Sequence, residues 1–431
     1  MNMQGKLFAL LVGASCVTTL FGSATDVPVV SDVSFDQPGG GRTVTVTYNL
    51  QYAPAIVTMD VLTNGVSIGA ENIVSFEGDV GKVVQPGTHQ FKWFAKRDWP
   101  EHLITENIVS VKLRAWSLFS PPPYMVADLE TASNVTYYVS ADAIPGGVTN
   151  NLYKTSRIVM RRIDAVGVRW NMGAHKTEIG YQTYEGREVI HSAQLTNDYY
   201  IAIYPLTQGQ WYKLINWYSP NRSSEIPGDS AQRDLYPLQW IAFAEMREQE
   251  PQSNANSSTT FSGNSAYYYP APPAPNSYLG KLSSFTGVDF DLTSEGEWEF
   301  ACRAGHYSGF WGDGSPISIS SGADANLVRL GAYSKNTNSK FQPVGSYEPN
   351  SWGLYDMHGG IWELCLDWFA PDITQLDGAV NTNVNADLLH TERGGARHKD
   401  AQYCRSSYRD RDAGNKRFEY VGFRLVSRIA Q

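Results

Sequence analysis

The stretch "PNSWGLYDMHGGIWELCLDW", residues 349–368, carries the reading of this chain. Asp356 and Glu363 stand close together in it, with Gly353, Gly359 and Gly360 near or between them. Glycine admits positive φ, so a loop built on it can turn its carbonyls inward. Two carboxylates with convergent carbonyls form the oxygen-rich set that a hard cation such as Ca2+ takes. The same pattern also serves acids that accept backbone N–H groups at a turn. Trp352, Trp362 and Trp368 of this stretch, with Trp298 upstream, read first as core residues.

Working outward, two upstream stretches carry helix starts. In "NDYYIAIYPLTQGQWYKLI" (197–215), a strand at 199–204 precedes a capping box of Thr207 and Gln210. Leu206 and Trp211 fit the accompanying hydrophobic staple. In "DLTSEGEWEFACRAG" (291–305), Ser294 is the N-cap and Glu297 completes the box. Trp298, Ala301, Cys302 and Gly305 then share one helix face. Between them, residues 248–276 are rich in Pro and Ser and read as a long surface loop.

Residues 26–116 have a different texture. "TVTVTYNL" (43–50) alternates Val44, Val46, Tyr48 and Leu50, the period of a half-buried strand. "IVTMDVLTNGVSI" (56–68) carries Asn64-Gly65, a hairpin signal. "HQFKWFAK" (89–96) and "NIVSVKLRAW" (107–116) alternate again, and together these strands predict an immunoglobulin-like β-sandwich. The prolines of "SLFSPPPYM" (117–125) mark a linker, and "VTYYVSA" (135–141) reads as a strand joining the two parts. The expected division is a signal peptide at 1–24, an all-β domain at 25–117, a linker at 118–151 and an α+β domain at 152–431.

The signal peptide reading rests on Lys6, the apolar run from Leu7 to Phe21 and the small residues Gly22, Ser23 and Ala24. That run is shorter than the roughly 20 apolar residues a membrane-spanning helix needs. A lipid anchor at Cys16 is the weaker alternative. The expectation is a secreted, periplasmic or cell-surface protein without a membrane-embedded part. The formal charge of −9 opposes non-specific nucleic-acid binding. Cys302, Cys365 and Cys404 are too few for a disulfide scaffold.

Four stretches in order, "TNDYYIAIYPLTQGQW", "FDLTSEGEWEFACRAG", "WGLYDMHGGIWELCLDW" and "RGGARHKDAQYCRSSYRD…GFR", resemble the formylglycine-generating enzyme, or sulfatase-modifying factor, family. The likeness covers about residues 155–431 and implies a variant C-type-lectin-like fold. It also implies a pocket lined by Trp362, Tyr403 and Cys404, with Ala396, Lys399 and Arg405 around it. In the family, two cysteines of the last stretch hold copper(I) and activate oxygen to convert a sulfatase cysteine to formylglycine. Soft thiolates suit Cu(I). Here the second cysteine matches Cys404, the first falls on Lys399, and a family serine falls on Ala396. The resemblance further implies structural calcium at Asp356, Gly359, Ile361 and Glu363, and a second site starting at Asn326 and Leu327. It makes a Cys365–Cys404 disulfide plausible, because both stretches border one pocket.

Three functions compete. The chain is a binding domain for a protein, peptide or glycan without the complete copper dithiol, an active oxidase acting on a sulfatase, or a binding protein diversified by a retroelement across 397–420. Arg405, Arg409, Arg411 and Arg417 read as a solvated, salt-bridged surface, with an anion-binding patch as the alternative. His358 and His398 lack a third partner at zinc-ligand spacing.

Overall fold

Val44–Gln51 forms a strand in which every second residue is buried, and Val44, Val46, Tyr48 and Leu50 are the buried ones. Asn64 and Gly65, at φ 49° and 80°, turn the chain between Ala55–Thr63 and Val66–Ser67. Both need the left-handed region, as Asn-Gly readily supplies in a two-residue hairpin. The computed structural model describes residues 27–37, 43–100, 102, 109–183, 186–219, 225–255, 258–384 and 387–430. The expected signal peptide, Cys16 included, lies outside the described residues.

The N-terminal unit is two sheets on one core. The first has the order Val29–Asp36, Val44–Gln51, Gly87–Trp93, Phe76–Gly78. In the second, Ala55–Thr63 pairs with Val66–Ser67, Val83–Val84 and Val109–Ser117. Val46, Phe91 and Trp93 of one sheet and Val57 and Val61 of the other belong to a single cluster.

The expected linker carries two strands. Tyr124–Asp128 and Val135–Tyr138 pair with each other and join the sheet of the C-terminal unit. That sheet runs Val135–Tyr138, Tyr124–Asp128, Arg157–Ile163, Tyr199–Ala202, Leu425–Arg428, Asp291–Leu292. Alternation within it feeds two cores. Met125, Met160, Tyr200 and Leu425 face one side, and Val126, Val159, Tyr199, Ile201 and Val426 face the other. Burying each such aliphatic side chain contributes about 1.5–3 kcal/mol. The Tyr137 N–H donates to the Gly81 carbonyl (2.6 Å), tying the N-terminal unit to this edge.

Both expected capping boxes are present, on helices Gln208–Ile215 and Glu295–Arg303. The second helix stops earlier than its face pattern implied. Ala304 takes a left-handed φ of 48°, so Gly305 lies beyond it. A third helix, Tyr278–Thr286, runs from Ser277 as N-cap to Gly287 in the left-handed region. The Pro/Ser-rich loop before it is pinned. The Arg247 guanidinium donates to the Tyr267 and Ala271 carbonyls and pairs with Asp291.

Candidate functional site

The 349–368 stretch ends in the strand Trp362–Trp368, buried along its whole length. It lies inside a second sheet, ordered Asp410–Ala413, Leu389–Arg393, Trp362–Trp368, Val421–Gly422. Alternation on this strand separates two sets of residues. Glu363 stands opposite Arg393, and Leu364 opposite Glu392. The first pair faces helix Glu295–Arg303, where Arg393 pairs with Glu299.

On the Leu364 side the pocket aromatics gather. Trp362 is fully buried, with its ring 6.0 Å from that of Tyr408. Tyr403 meets Tyr408 edge-on at 5.0 Å, and the Lys399 Nζ lies 5.5 Å from the Tyr403 ring centre. Gln182 donates to the Tyr408 hydroxyl at 3.2 Å. The Lys399 backbone is held at both ends, its N–H by Ala396 and its carbonyl by Ser334. Trp362, Ala396 and Tyr408 belong to one core cluster, with Tyr403 packed against it.

Cys404 does not join them. It packs with Trp311, Leu327, Leu330 and Tyr333 in a separate small core. Burial, then the nearby Asp400, pushes its thiol well above the ordinary cysteine range. A reactive thiol needs the opposite surroundings, with partial exposure and a stabilised thiolate. Gly395, at φ 77°, explains the placement: a Cβ there would lie 2.7 Å from the Tyr403 carbonyl and 2.8 Å from the Cys404 sulfur.

The expected Cys365–Cys404 disulfide is absent, since Cys302, Cys365 and Cys404 are all free and buried. Strand alternation gives the reason. Cys365 faces the same side as Glu363 and packs with Trp298 and Ala301, while Cys404 packs in the Trp311 core. Cys302 lies 3.4 Å from the Ser406 hydroxyl, and burial pushes its thiol up to about 12. The His358 ring is also spoken for. The Gly312 N–H donates to Nε2 at 3.0 Å, and Nδ1 donates to the Cys404 carbonyl at 3.0 Å. Burial holds this imidazole neutral, its pKa down to about 4.

The arginines correct the surface reading. Arg405 is fully buried between Glu188 (2.7 and 2.8 Å) and Glu178 (2.9 Å), and it also donates to the Gly180 carbonyl. Arg409 pairs with Glu295 and Arg417 with Glu245, each also donating to loop carbonyls. Arg411 is half-buried, its guanidinium over the Phe369 ring. The physical reason is the irregular backbone. Loop carbonyls buried outside helices and sheets need donors, and guanidinium supplies five.

The family model for the sulfatase-modifying factor enzyme 1-like domain matches residues 167–429. The chain belongs to this family. It is 33% identical over 84 residues to the formylglycine-generating enzyme of Streptomyces coelicolor, covering 19% of this chain and 27% of that enzyme. It is 26% identical over 143 residues to the mouse formylglycine-generating enzyme, covering 32% of this chain and 38% of that one. The matched segments thus span well under half of either relative. A solved structure of PvdO from Pseudomonas aeruginosa superposes with a TM-score of 0.48 at 21% identity, over 63% of this chain and 94% of that one.

The residues present do not fit the copper(I) site that the family resemblance implies, and the oxygens of the expected calcium site are engaged within the chain. A linear copper(I) site needs two thiolates, and here Lys399 accompanies a single thiol turned into the Trp311 core. At the expected calcium site, Glu363 is already neutralised. Arg424 binds both its oxygens (3.0 and 2.8 Å), and the Trp298 indole N–H donates to it at 2.7 Å. The Gly359 carbonyl accepts the Ile361 N–H, and Asp356, at φ 57°, accepts the Gly345 N–H at 2.6 Å. Asn326 donates its amide to the Pro316 carbonyl, and the Leu327 carbonyl accepts the Gly331 N–H. Their segment is organised by Asp324, which accepts the N–H groups of Asn326 and Leu327 and the Trp311 indole. Among the described residues no three His, Cys, Asp or Glu side chains converge to hold a metal ion. Sequence reasoning missed Asp324, Gln182, Tyr408 and the acids Glu392, Asp410 and Asp412. The alternation Asp410-x-Asp412 was the one visible signal of the last group.

Proposed function

We propose that this chain is a non-oxidase member of its family, acting as a binding domain for a protein, peptide or glycan outside the cytoplasm. The observation that carries this is the position of Cys404, deep in an apolar core with its thiol held protonated. An oxidase centre needs that sulfur as an accessible thiolate, with a second sulfur beside it. The half-buried Tyr403, packed edge-on against the buried Tyr408 beside Trp362, supports a binding role, because a tyrosine so held offers a rigid contact surface with a polar tip. The N-terminal two-sheet unit, read as an immunoglobulin-like accessory, holds this domain through the 124–138 strands.

The test is direct. The full chain is incubated with copper, oxygen and a peptide carrying Cys-x-Pro-x-Arg, beside an active formylglycine-generating enzyme as control. Mass spectrometry is expected to show the cysteine unchanged. Conversion of the thiol to an aldehyde would establish the oxidase reading instead. A peptide and glycan array then reports the ligand class.

A further inference from the structure

Six buried glutamates of the C-terminal unit each face an arginine: Glu363 with Arg424, Glu299 with Arg393, Glu295 with Arg409, Glu297 with Arg428, Glu245 with Arg417 and Glu188 with Arg405. Glu248 lacks an arginine but accepts the Asn264 N–H, and the remaining exception is Glu392. It is 2% exposed, and its Oε2 has no hydrogen-bond partner. The antiparallel pairing of Leu389–Arg393 with Asp410–Ala413 sets Glu392 opposite Asp410 and His390 opposite Asp412. Side chains two apart on a strand, and directly opposite across a ladder, share a face. Three carboxylates therefore crowd one side of the ladder, the side of Leu364 and the Trp362 aromatics.

Their charge is poorly matched. Asp410 has Arg187 at 3.4 Å, and the Tyr420 hydroxyl bonds to Asp412. Among the described residues no lysine or arginine reaches Glu392 or Asp412 as an ion pair. The Lys399 ammonium is near but sits over the Tyr403 ring. A buried carboxylate without a counter-charge costs several kcal/mol, so it takes up a proton instead. Burial, then Asp412 and Asp410, pushes Glu392 well up; burial, then Asp410, pushes Asp412 up to about 7. Around Glu392, the rim residues Asp410, Asp412, Lys399, Tyr403 and Tyr420 are all only half-buried.

A metal ion is not what this arrangement fits, since these acids do not converge to metal-holding distance. A guanidinium or ammonium group spreads its donors over a wider area and packs on aromatic faces. We propose that Glu392, Asp410 and Asp412, rimmed by Tyr403 and Tyr420, form a receptor site for an organic cation, the arginine or lysine side chain of a basic peptide. This rests on the binding-domain reading and names its ligand class. None of these three acids belongs to the pocket set implied by the family resemblance.

The experiment titrates the full chain calorimetrically with tri-arginine amide, tri-lysine amide and tri-citrulline amide. Citrulline keeps the shape of arginine without its charge. The basic peptides are expected to bind at least about tenfold more tightly than citrulline. Asp412→Asn, which sits on the half-buried rim, is expected to remove about tenfold of that affinity without lowering the melting midpoint. Glu392→Gln serves as the second variant, with circular dichroism as the folding check. Equal binding of arginine and citrulline, or no loss in either folded variant, overturns the cation site. If the native chain binds neutral array ligands through Tyr403, with Asp412→Asn indifferent, the binding-domain reading stands and this site falls. No binding of any array ligand or peptide overturns both.

Discussion

Glu363→Gln separates the calcium reading from the observed ion pair. Glu363 is 1% exposed, and Arg424 is fully buried and spans both its oxygens. The substitution keeps shape and still accepts the Trp298 indole, but leaves the guanidinium without its counter-charge. Arg424 keeps the Ala202 and Tyr355 carbonyls, at 2.9 and 2.8 Å, and at most one neutral amide oxygen in place of the carboxylate. Breaking one partner of a buried pair costs about 3–5 kcal/mol. For a domain of this size each kcal/mol lowers the midpoint by about 2–4 °C, so a drop of about 6–20 °C is expected. The assay is thermal and urea unfolding of the native chain, Glu363→Gln and the double variant Glu363→Leu/Arg424→Met. The double variant is expected to regain part of the loss, because no charge is left stranded. The same curves are run with calcium and with chelator, and neither should shift them. The reasoning is refuted if Glu363→Gln costs less than about 1 kcal/mol. It is equally refuted if saturating calcium adds the ~2.7 kcal/mol expected of a ligand at a hundredfold its Kd.

Further outcomes follow from other buried groups. Burial pushes the Glu248 carboxyl up to about 7, against the lowering by the Asn264 N–H that it accepts. A raised carboxyl contributes stability that is present below its unfolded value near 4.5 and lost as pH rises through the folded value. Glu248→Gln should therefore match the native chain at pH 5 and exceed it at pH 8; equal melting at both pH values would refute this. Gly395→Ala places a Cβ 2.7 Å from the Tyr403 carbonyl at a φ of 77°. A loss of at least ~2 kcal/mol in urea unfolding is expected, from strain plus the close contact. A neutral result would mean the 394–404 loop shifts readily.

What could be read before folding was what depends on neighbours in sequence. The Thr207 and Ser294 capping boxes, the Asn64-Gly65 hairpin and the alternation from Val44 to Leu50 all formed as spaced. Each is fixed by a few consecutive residues, so local physics is sufficient. Within the expected linker, the strand Tyr124–Asp128 was not legible, because the proline cluster at 121–123 is local, whereas its pairing with Arg157–Ile163 is not.

The site depended on the tertiary structure. The quoted stretch showed Trp362 and the loop glycines, but no spacing shows that Arg424 sits on Glu363, because the two are far apart in sequence. Nor does it show which way a cysteine turns. Cys365 and Cys404 are parted by strand alternation and by the close approach that Gly395 permits. The same holds for charge. A run of arginines looks solvated in sequence, and only the fold decides that Arg405, Arg409 and Arg417 are buried against glutamates while Glu392 is left without one. Local pattern set the elements; long-range pairing set which charges were matched.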